Sequence, residues 1–597
     1  MEAVSGARED EVNGALEEAA SARLLAGLPN APGRLRFSHI LVRDALYESI
    51  PAPRRVRLHR AIGAALEMLY SENPEPHLAE VARHFLAGGR RVRDKAIEYA
   101  QRAGDRAASQ LAQEEAVRHY KAALDVLDAT GSGDADRACE LLLSLGEALS
   151  RAGRGQEARE VLRRAATLAE RTGRTDRLAR AAVEYGGRFA WSRASTDAFL
   201  VPLLERALAA IGAADSTERV KLLARLATAI RDDPSRARRV RIAEEAVQIA
   251  RRLDDPETLA FALEGHWTAV EGPDTAGGGI EPGAMLVKLG EQTGDKERAV
   301  IGHQYQLNGF WTLADRVGVD VELDAIASLA HELDQPAQRW VLGTDQTMLA
   351  LMEGRLADAQ QLISDTVALG KRSQSWNAVV SERFALFVLR RAQGRLAEFQ
   401  DTIKRSVHEY PPLLRFRCAL AHTYGELGHK HDAGAVLDEL MTHDLGNEHV
   451  DAEWLLSMTL LADVCAIVED QDAAARLHAL LAPYEGVYTV APVEATFGSV
   501  ARALGVVASV LERFDAAERH FAFAIETERK MKARPWRAHA QHNLAAMLLR
   551  RGAVGDDERA LALLDEARDI YRELGMKSWA ARASEATGTS RSRQLRR

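Results

Sequence analysis

At 597 residues the chain is too long for a single hydrophobic core and must form several domains or a repeat array. Apolar residues make up 47% and charged residues 28%, so the composition excludes disorder over most of the length. A net charge of −9 gives no global basic footprint for nucleic acid. Cys139, Cys418 and Cys465 are far apart and lack CxxC spacing, which argues against a disulfide framework or a structural zinc site and fits a cytoplasmic protein. No run of about 18 apolar residues suggests a membrane span, and the polar, acidic start is unlike a signal peptide.

The first helix is expected over EVNGALEEAASARLLAGL, ending in a NAPG turn. In RLRFSH, Leu35, Phe37 and His39 alternate with Arg34, Arg36 and Ser38, a period of two that predicts a short strand. From Ile40 the period changes, placing Val42, Ala45, Leu46 and Ser49 on one helical face, until Pro51 and Pro53 stop it. A further helix follows to about Tyr70, and HLAEVARHFL then gathers Leu78, Val81, Ala82, Phe85 and Leu86 on one face. Helix, turn, strand, helix, helix is a winged-helix-like order, assigned to residues 1–70.

Internal similarity dominates residues 71–585. The tetratricopeptide pattern places a small residue at position 8, Ala at 20, a large apolar residue at 24 and Ala at 27. Gly104, Ala116, Tyr120 and Ala123 satisfy it, as do Gly146, Ala158, Leu162 and Ala165. So do Gly505, Ala517, Phe521 and Ala524, and Ala421, Ala433, Leu437 and Leu440. Two antiparallel helices approach closely only where side chains are small, and the larger residue fills the gap. The turns AGRGQ, EGRLA, QGRLA and LGHKH set Gly where a helix needs a left-handed stop. The fold expected is an all-α superhelix of roughly a dozen helix pairs, coupled mainly between nearest neighbours. EGPDTAGGGIEPGAM and YEGVYTVAPVE are expected to be loops, and the basic stretch 586–597 a disordered tail.

The run RLRFSHILVRDALYESIPAPRRVRLHRAIGAALE, followed by PEPHLAEVARHFLAGG and DKAIEYAQRAGDRAASQLAQEEAVRHY, resembles the junction between nucleotide-binding module and repeat array in actinobacterial STAND-type ATPases. EYGGRFAWSR, LLARLATAIRDDPSRARR and QPAQRW resemble later parts of the same regulators. Such proteins carry a P-loop ATPase, a winged helix and a tetratricopeptide sensor, many with a cyclase-like or LuxR-type DNA-binding domain. The resemblance implies a sensing scaffold in signal transduction or transcription control. It also implies that His39 approaches nucleotide phosphates from the winged helix. No GxxxxGK[ST] occurs in the sequence, so no cofactor and no enzymatic activity are expected of this chain as it stands. The alternatives are a stand-alone adaptor that binds peptides, and a truncated form of a full ATPase or cyclase-type regulator.

The plainer readings stand beside these. A histidine at a strand end commonly bonds backbone. Arg54, Arg55, Arg57 and Arg60 are interleaved with Asp44, Glu48 and Glu67, which breaks the positive face that DNA needs. His422, His429, His431, His443 and His449 lack a ligand spacing for metal, and His539 and His542 lack a third ligand. Trp191, Trp267, Trp311, Trp340 and Trp454 suit hairpin packing better than a ligand groove. The partner expected is a protein or peptide on the concave face, or an ATPase module.

Overall fold

The computed structural model describes residues 4, 6–28, 31–130, 134–187, 197–231, 233, 236–373, 376–446 and 450–594. It contains 29 α-helices and two short β-hairpins among these residues, a nearly all-α superhelical repeat. By packing, the chain divides into two compact units: residues 1–152 with 157–177, and residues 153–156 with 178–597.

The first unit opens with α1 (Glu9–Ser21), β1 (Leu25–Leu28), β2 (Ala31–Phe37), α2 (Ile40–Ser49) and α3 (Ala52–Leu69). α4 (Leu78–Leu86), α5 (Arg93–Ser109), α6 (Gln113–Thr130), α7 (Ala135–Arg151) and α8 (Gly155–Thr172) continue it. The expected single strand is in fact a pair. The first helix stops at Ser21, Arg23 takes a left-handed φ of 56°, and Leu25–Leu28 pairs antiparallel with Ala31–Phe37. An apolar run such as LLAGL fits a helix end and a strand equally well, so periodicity does not separate them.

The second unit runs through α9 (Thr175–Tyr185), α10 (Leu200–Ile211), α11 (Thr217–Ala229), α12 (Arg236–Leu253) and α13 (Pro256–Val270). Next come α14 (Ile280–Thr293), α15 (Lys296–Thr312), α16 (Arg316–Leu333), α17 (Pro336–Glu353) and α18 (Leu356–Ser373). α19 (Trp376–Gln393), α20 (Gln400–Glu409), α21 (Leu414–Glu426), α22 (Lys430–Met441), α23 (Trp454–Val468) and α24 (Gln471–Leu481) follow. The chain closes with β3 (Tyr488–Ala491), β4 (Ala495–Ser499), α25 (Val500–Val510), α26 (Phe514–Lys530), α27 (Arg534–Arg551), α28 (Asp556–Glu573) and α29 (Lys577–Gln594).

Close approach explains why the repeat positions carry the residues they do. A Cβ on Gly104 would lie 2.6 Å from the Tyr120 ring, one on Gly146 2.5 Å from Leu162 Cγ, and one on Gly505 2.7 Å from the Phe521 ring. Ala116, Ala158, Ala433, Leu437 and Ala517 are all buried where helix meets helix. The stops at Gly153, Gly354, Gly394 and Gly428 are left-handed, with φ between 70° and 83°.

Three expectations from sequence are corrected. The stretch 271–285 is loop and turn only as far as residue 279, with a 3-10 turn at Pro273–Thr275, and α14 begins at Ile280. Residues 484–494 lead into a β-hairpin, β3–β4, in which residues 488–499 are all buried. α29 runs to Gln594, well into the stretch expected to be a disordered tail.

Candidate functional site

At the start of the chain, His39 sits where strand gives way to helix. It is the N-cap of α2, and its Nδ1 accepts a hydrogen bond from the Leu41 backbone N–H at 3.2 Å. That satisfies one of the donors a helix start leaves open. A second histidine motif, missed from sequence, ties this region to the repeats. Arg83 Nη2 lies 3.3 Å from His84 Nε2, His84 Nδ1 lies 3.0 Å from His59 Nδ1, and His59 Nε2 lies 2.8 Å from Tyr47 Oη. Arginine only donates, so the chain has one consistent direction: Arg83 to His84, His84 to His59, His59 to Tyr47. Both imidazoles are neutral in it. Burial, then the Arg83 cation, lowers His84 to about 4, and the same two causes lower His59.

Much of this region is exposed, apolar side chains as well as polar ones. Among residues 6–27 and 35–70 only Gly63 is buried, whereas Leu41 is 67% and Ile40 59% exposed, and Leu35, Phe37, Leu46 and Tyr47 are exposed beside them. The arginines are spread among these side chains. Arg55 covers the Tyr47 ring at 5.1 Å and Arg60 donates to the Gly88 carbonyl at 3.2 Å.

In the second unit the interior of the array is filled by its own chain. The β3–β4 hairpin packs against α15, α17, α19, α23, α25 and α26, helices drawn from residues 296–530. Its tip is held by a buried ion pair, Arg415 Nη2 to Glu494 Oε1 at 2.6 Å. Its base is held by Glu528, which accepts from Tyr488 Oη at 2.9 Å and from the Ser499 N–H at 2.7 Å. Gly498, at φ 77°, lets the strand pass the Trp536 ring, which a Cβ would meet at 3.1 Å. Six helices of the second unit therefore pack around one buried hairpin.

Beside the hairpin lies a buried cluster of charge and aromatic rings. Arg502 grips Asp463 with two hydrogen bonds, 2.8 and 3.2 Å, and Arg391 Nη2 lies 3.7 Å from the same carboxylate. Burial alone would raise Asp463, but Arg502, the neighbouring His422 and Arg391 together hold it well below the usual carboxylate range. Arg391 faces the rings of Phe497, Trp536 and Trp579 at 5.1–5.2 Å. It donates to His539 Nε2 at 3.2 Å, so the His539 Nδ1–H donates to Tyr571 Oη at 2.8 Å. Trp579 Nε1 donates to the Arg391 carbonyl at 3.1 Å, and Arg582 pairs with Glu426 at 2.6 Å. Arg391 and His539 are buried. The cluster's geometry joins α19 to α27, α28 and α29 across the array.

The other candidates are packing residues. Trp267, Trp311, Trp340 and Trp454 are buried; Trp191 lies outside the described residues. His429 is exposed at the N-cap of α22 and His431 is exposed in the first turn of that helix, not in a loop; His422 is buried beside Asp463, and His449 lies outside the described residues. No group of three or more metal-ligating side chains occurs among the described residues. No helix among them is long and apolar enough to cross a membrane.

No protein-family model matches the chain, and no curated protein matches it. Among solved structures, the APC/C hetero-tetramer Cut9–Hcn1 is similar over 83% of this chain and 94% of that chain, at 14% identity and a TM-score of 0.40. Yeast Tom70 is similar over 83% of this chain and 97% of that chain, at 13% identity and a TM-score of 0.20. These scores are too low to argue from. The repeat architecture rests on the helix-pair contacts at Gly104, Gly146 and Gly505.

Proposed function

We propose that the chain is the protein- or ligand-sensing scaffold of a STAND-type regulatory ATPase, acting in signal transduction or transcription control and non-catalytic by itself. The observation that carries this reading is the set of bare apolar side chains on β2 and α2. Leu35, Phe37, Ile40, Leu41 and Leu46 are exposed together on a region with almost no core of its own. Apolar surface left in water forgoes about 25 cal/mol for each Å², so these side chains would gain from a docked partner. A nucleotide-binding module seated there would lie near His39, which caps α2.

The test has two arms. Calorimetry of the isolated chain with ATP and Mg²⁺ is expected to show no binding. A lone histidine supplies about 0.5–1.5 kcal/mol, against the roughly 8 kcal/mol of a micromolar site. A P-loop module of the same regulator class is expected to bind the chain and to lose it on Leu41→Asp. His39→Ala is expected to change nucleotide exchange on the docked module. Micromolar ATP binding by the chain alone, or docking indifferent to Leu41→Asp, overturns the reading.

A further inference from the structure

In the first unit, α6, α7 and α8 enclose an open groove of about 610 Å³. Its floor is apolar: Leu124 and Leu127 from α6, Ala138 and Leu142 from α7, Leu168 from α8. That volume falls in the range of ligand-binding clefts.

The rim decides the sign of the ligand. Asp128 faces Arg164 at 3.9 Å, and Asp134 caps α7 by accepting from the Arg137 N–H at 3.0 Å. Arg163 and Arg171 are exposed on the α8 side, with no carboxylate at ion-pair distance among the described residues. Three arginines against two aspartates line the groove, and Arg163 and Arg171 have no ion-pair partner among the described residues, so its net charge is positive. Eight residues separate the two arginines along one helix, about 12 Å. A helical segment with carboxylates two turns apart matches that spacing, with leucine-sized residues at i, i+3 and i+7 between them meeting the floor.

We propose that this groove binds an acidic amphipathic helix of a partner protein, lying across α6–α8 with its apolar face down and its carboxylates on Arg163 and Arg171. The proposal rests on the reading of the chain as an interaction scaffold. A second copy of the chain is disfavoured: a two-fold contact sets the Arg163–Arg171 rim against itself.

The probe is a labelled synthetic peptide of about 14 residues, with Leu at i, i+3 and i+7 and Glu flanking, and a control in which Lys replaces Glu. Anisotropy with the full chain is expected to show the Glu peptide binding at tens of micromolar or tighter. Raising salt should weaken it. Arg163→Glu with Arg171→Glu should weaken it by about tenfold or more, with circular dichroism unchanged because both side chains are exposed. Absence of binding at about 1 mM, equal binding of the Lys peptide, or indifference to the charge reversal overturns the proposal. A concentration-dependent dimer abolished by the same substitutions also overturns it, by making a second copy the occupant. Failure on any of these grounds leaves the docking of a nucleotide-binding module on Leu41 unaffected, so the two readings fall separately.

Discussion

Gly146 and Leu162 meet so closely that a Cβ on the glycine would lie 2.5 Å from the leucine Cγ. Sixteen residues separate them, as they separate Gly104 from Tyr120 and Gly505 from Phe521, and in each pair a ring or branched side chain occupies the space of the missing Cβ. Gly146→Ala is expected to force α7 and α8 apart at a cost of about 1–3 kcal/mol. The gain in helix propensity, about 1 kcal/mol, offsets part of this. Gly146→Val is expected to cost more, and Gly146→Ala with Leu162→Ala to recover part of the loss through relief of the contact. Urea melts followed by circular dichroism check the series; a stabilised Gly146→Ala sinks the close-approach account.

Glu528 gives the second unit a pH dependence of definite sign. Burial raises its carboxyl to about 7, against the hydrogen bonds from the Ser499 N–H and Tyr488. The folded pKa lies above the unfolded one, so its stabilising contribution is complete below about 4.3 and is lost as pH rises towards 7. The loss is on the order of 3 kcal/mol. Glu528→Gln keeps the shape and an acceptor for Ser499. It is expected to flatten the fall in stability between about pH 4.5 and 7. A variant whose melts retain the full slope would place the titrating group elsewhere.

The histidine pair of the first unit works in the opposite direction. His84 and His59 are lowered, so the folded state favours their neutral forms, and the stability they confer is lost as pH falls from about 6.5 through the His84 value of about 4. A proton on His59 Nδ1 would point at the His84 Nδ1–H, and a proton on His84 Nε2 would point at Arg83. Acidification is expected to free α2 and α3 from α4 before the repeats melt. Hydrogen exchange of residues 40–69 at about pH 5, with His84→Gln as comparison, reads this out. Equal protection at pH 5 and 7 would argue that the chain of bonds bears no load.

What was legible in the sequence is the part that depends on local spacing. A small residue at position 8 and a large one at 24 are sixteen apart whatever surrounds them, so Gly104, Gly146 and Gly505 announce themselves with their partners. The β3–β4 hairpin was not legible, because a strand buried on every side has no alternation, and its Gly498 and Pro492 look like loop punctuation. Nor was the cluster around Asp463. Arg391, Arg502 and Arg582 resemble solvated helix faces until α19 and α29 are known to lie side by side, and nothing local records a contact between residues 188 apart. His39 was legible in place but not in partner: its position at the strand–helix junction follows from the change of period, whereas the bond to the Leu41 N–H needs coordinates.

That long contact changes what the second unit is expected to do when perturbed. A solenoid coupled only through neighbours loses protection locally. Here Trp579 donates to the Arg391 carbonyl, stacks against its guanidinium and abuts His539 at 4.3 Å, so α29 is bound to α19 as well as to α28. Arg391→Ala removes a buried cation from beside Asp463 and three aromatic faces, and is expected to cost about 3–5 kcal/mol. Trp579→Ala is expected to cost a similar amount, about 3–5 kcal/mol, through lost burial and packing. Because the two groups touch, their effects are expected to fall short of additivity by about 1 kcal/mol or more. The sharper readout is spatial. Trp579→Ala should lower hydrogen-exchange protection in Trp376–Gln393 as well as in its own helix, while Ala135–Arg151 in the first unit keeps its own. Loss confined to α28 and α29 would mean that Arg391 and Trp579 meet without holding the array closed.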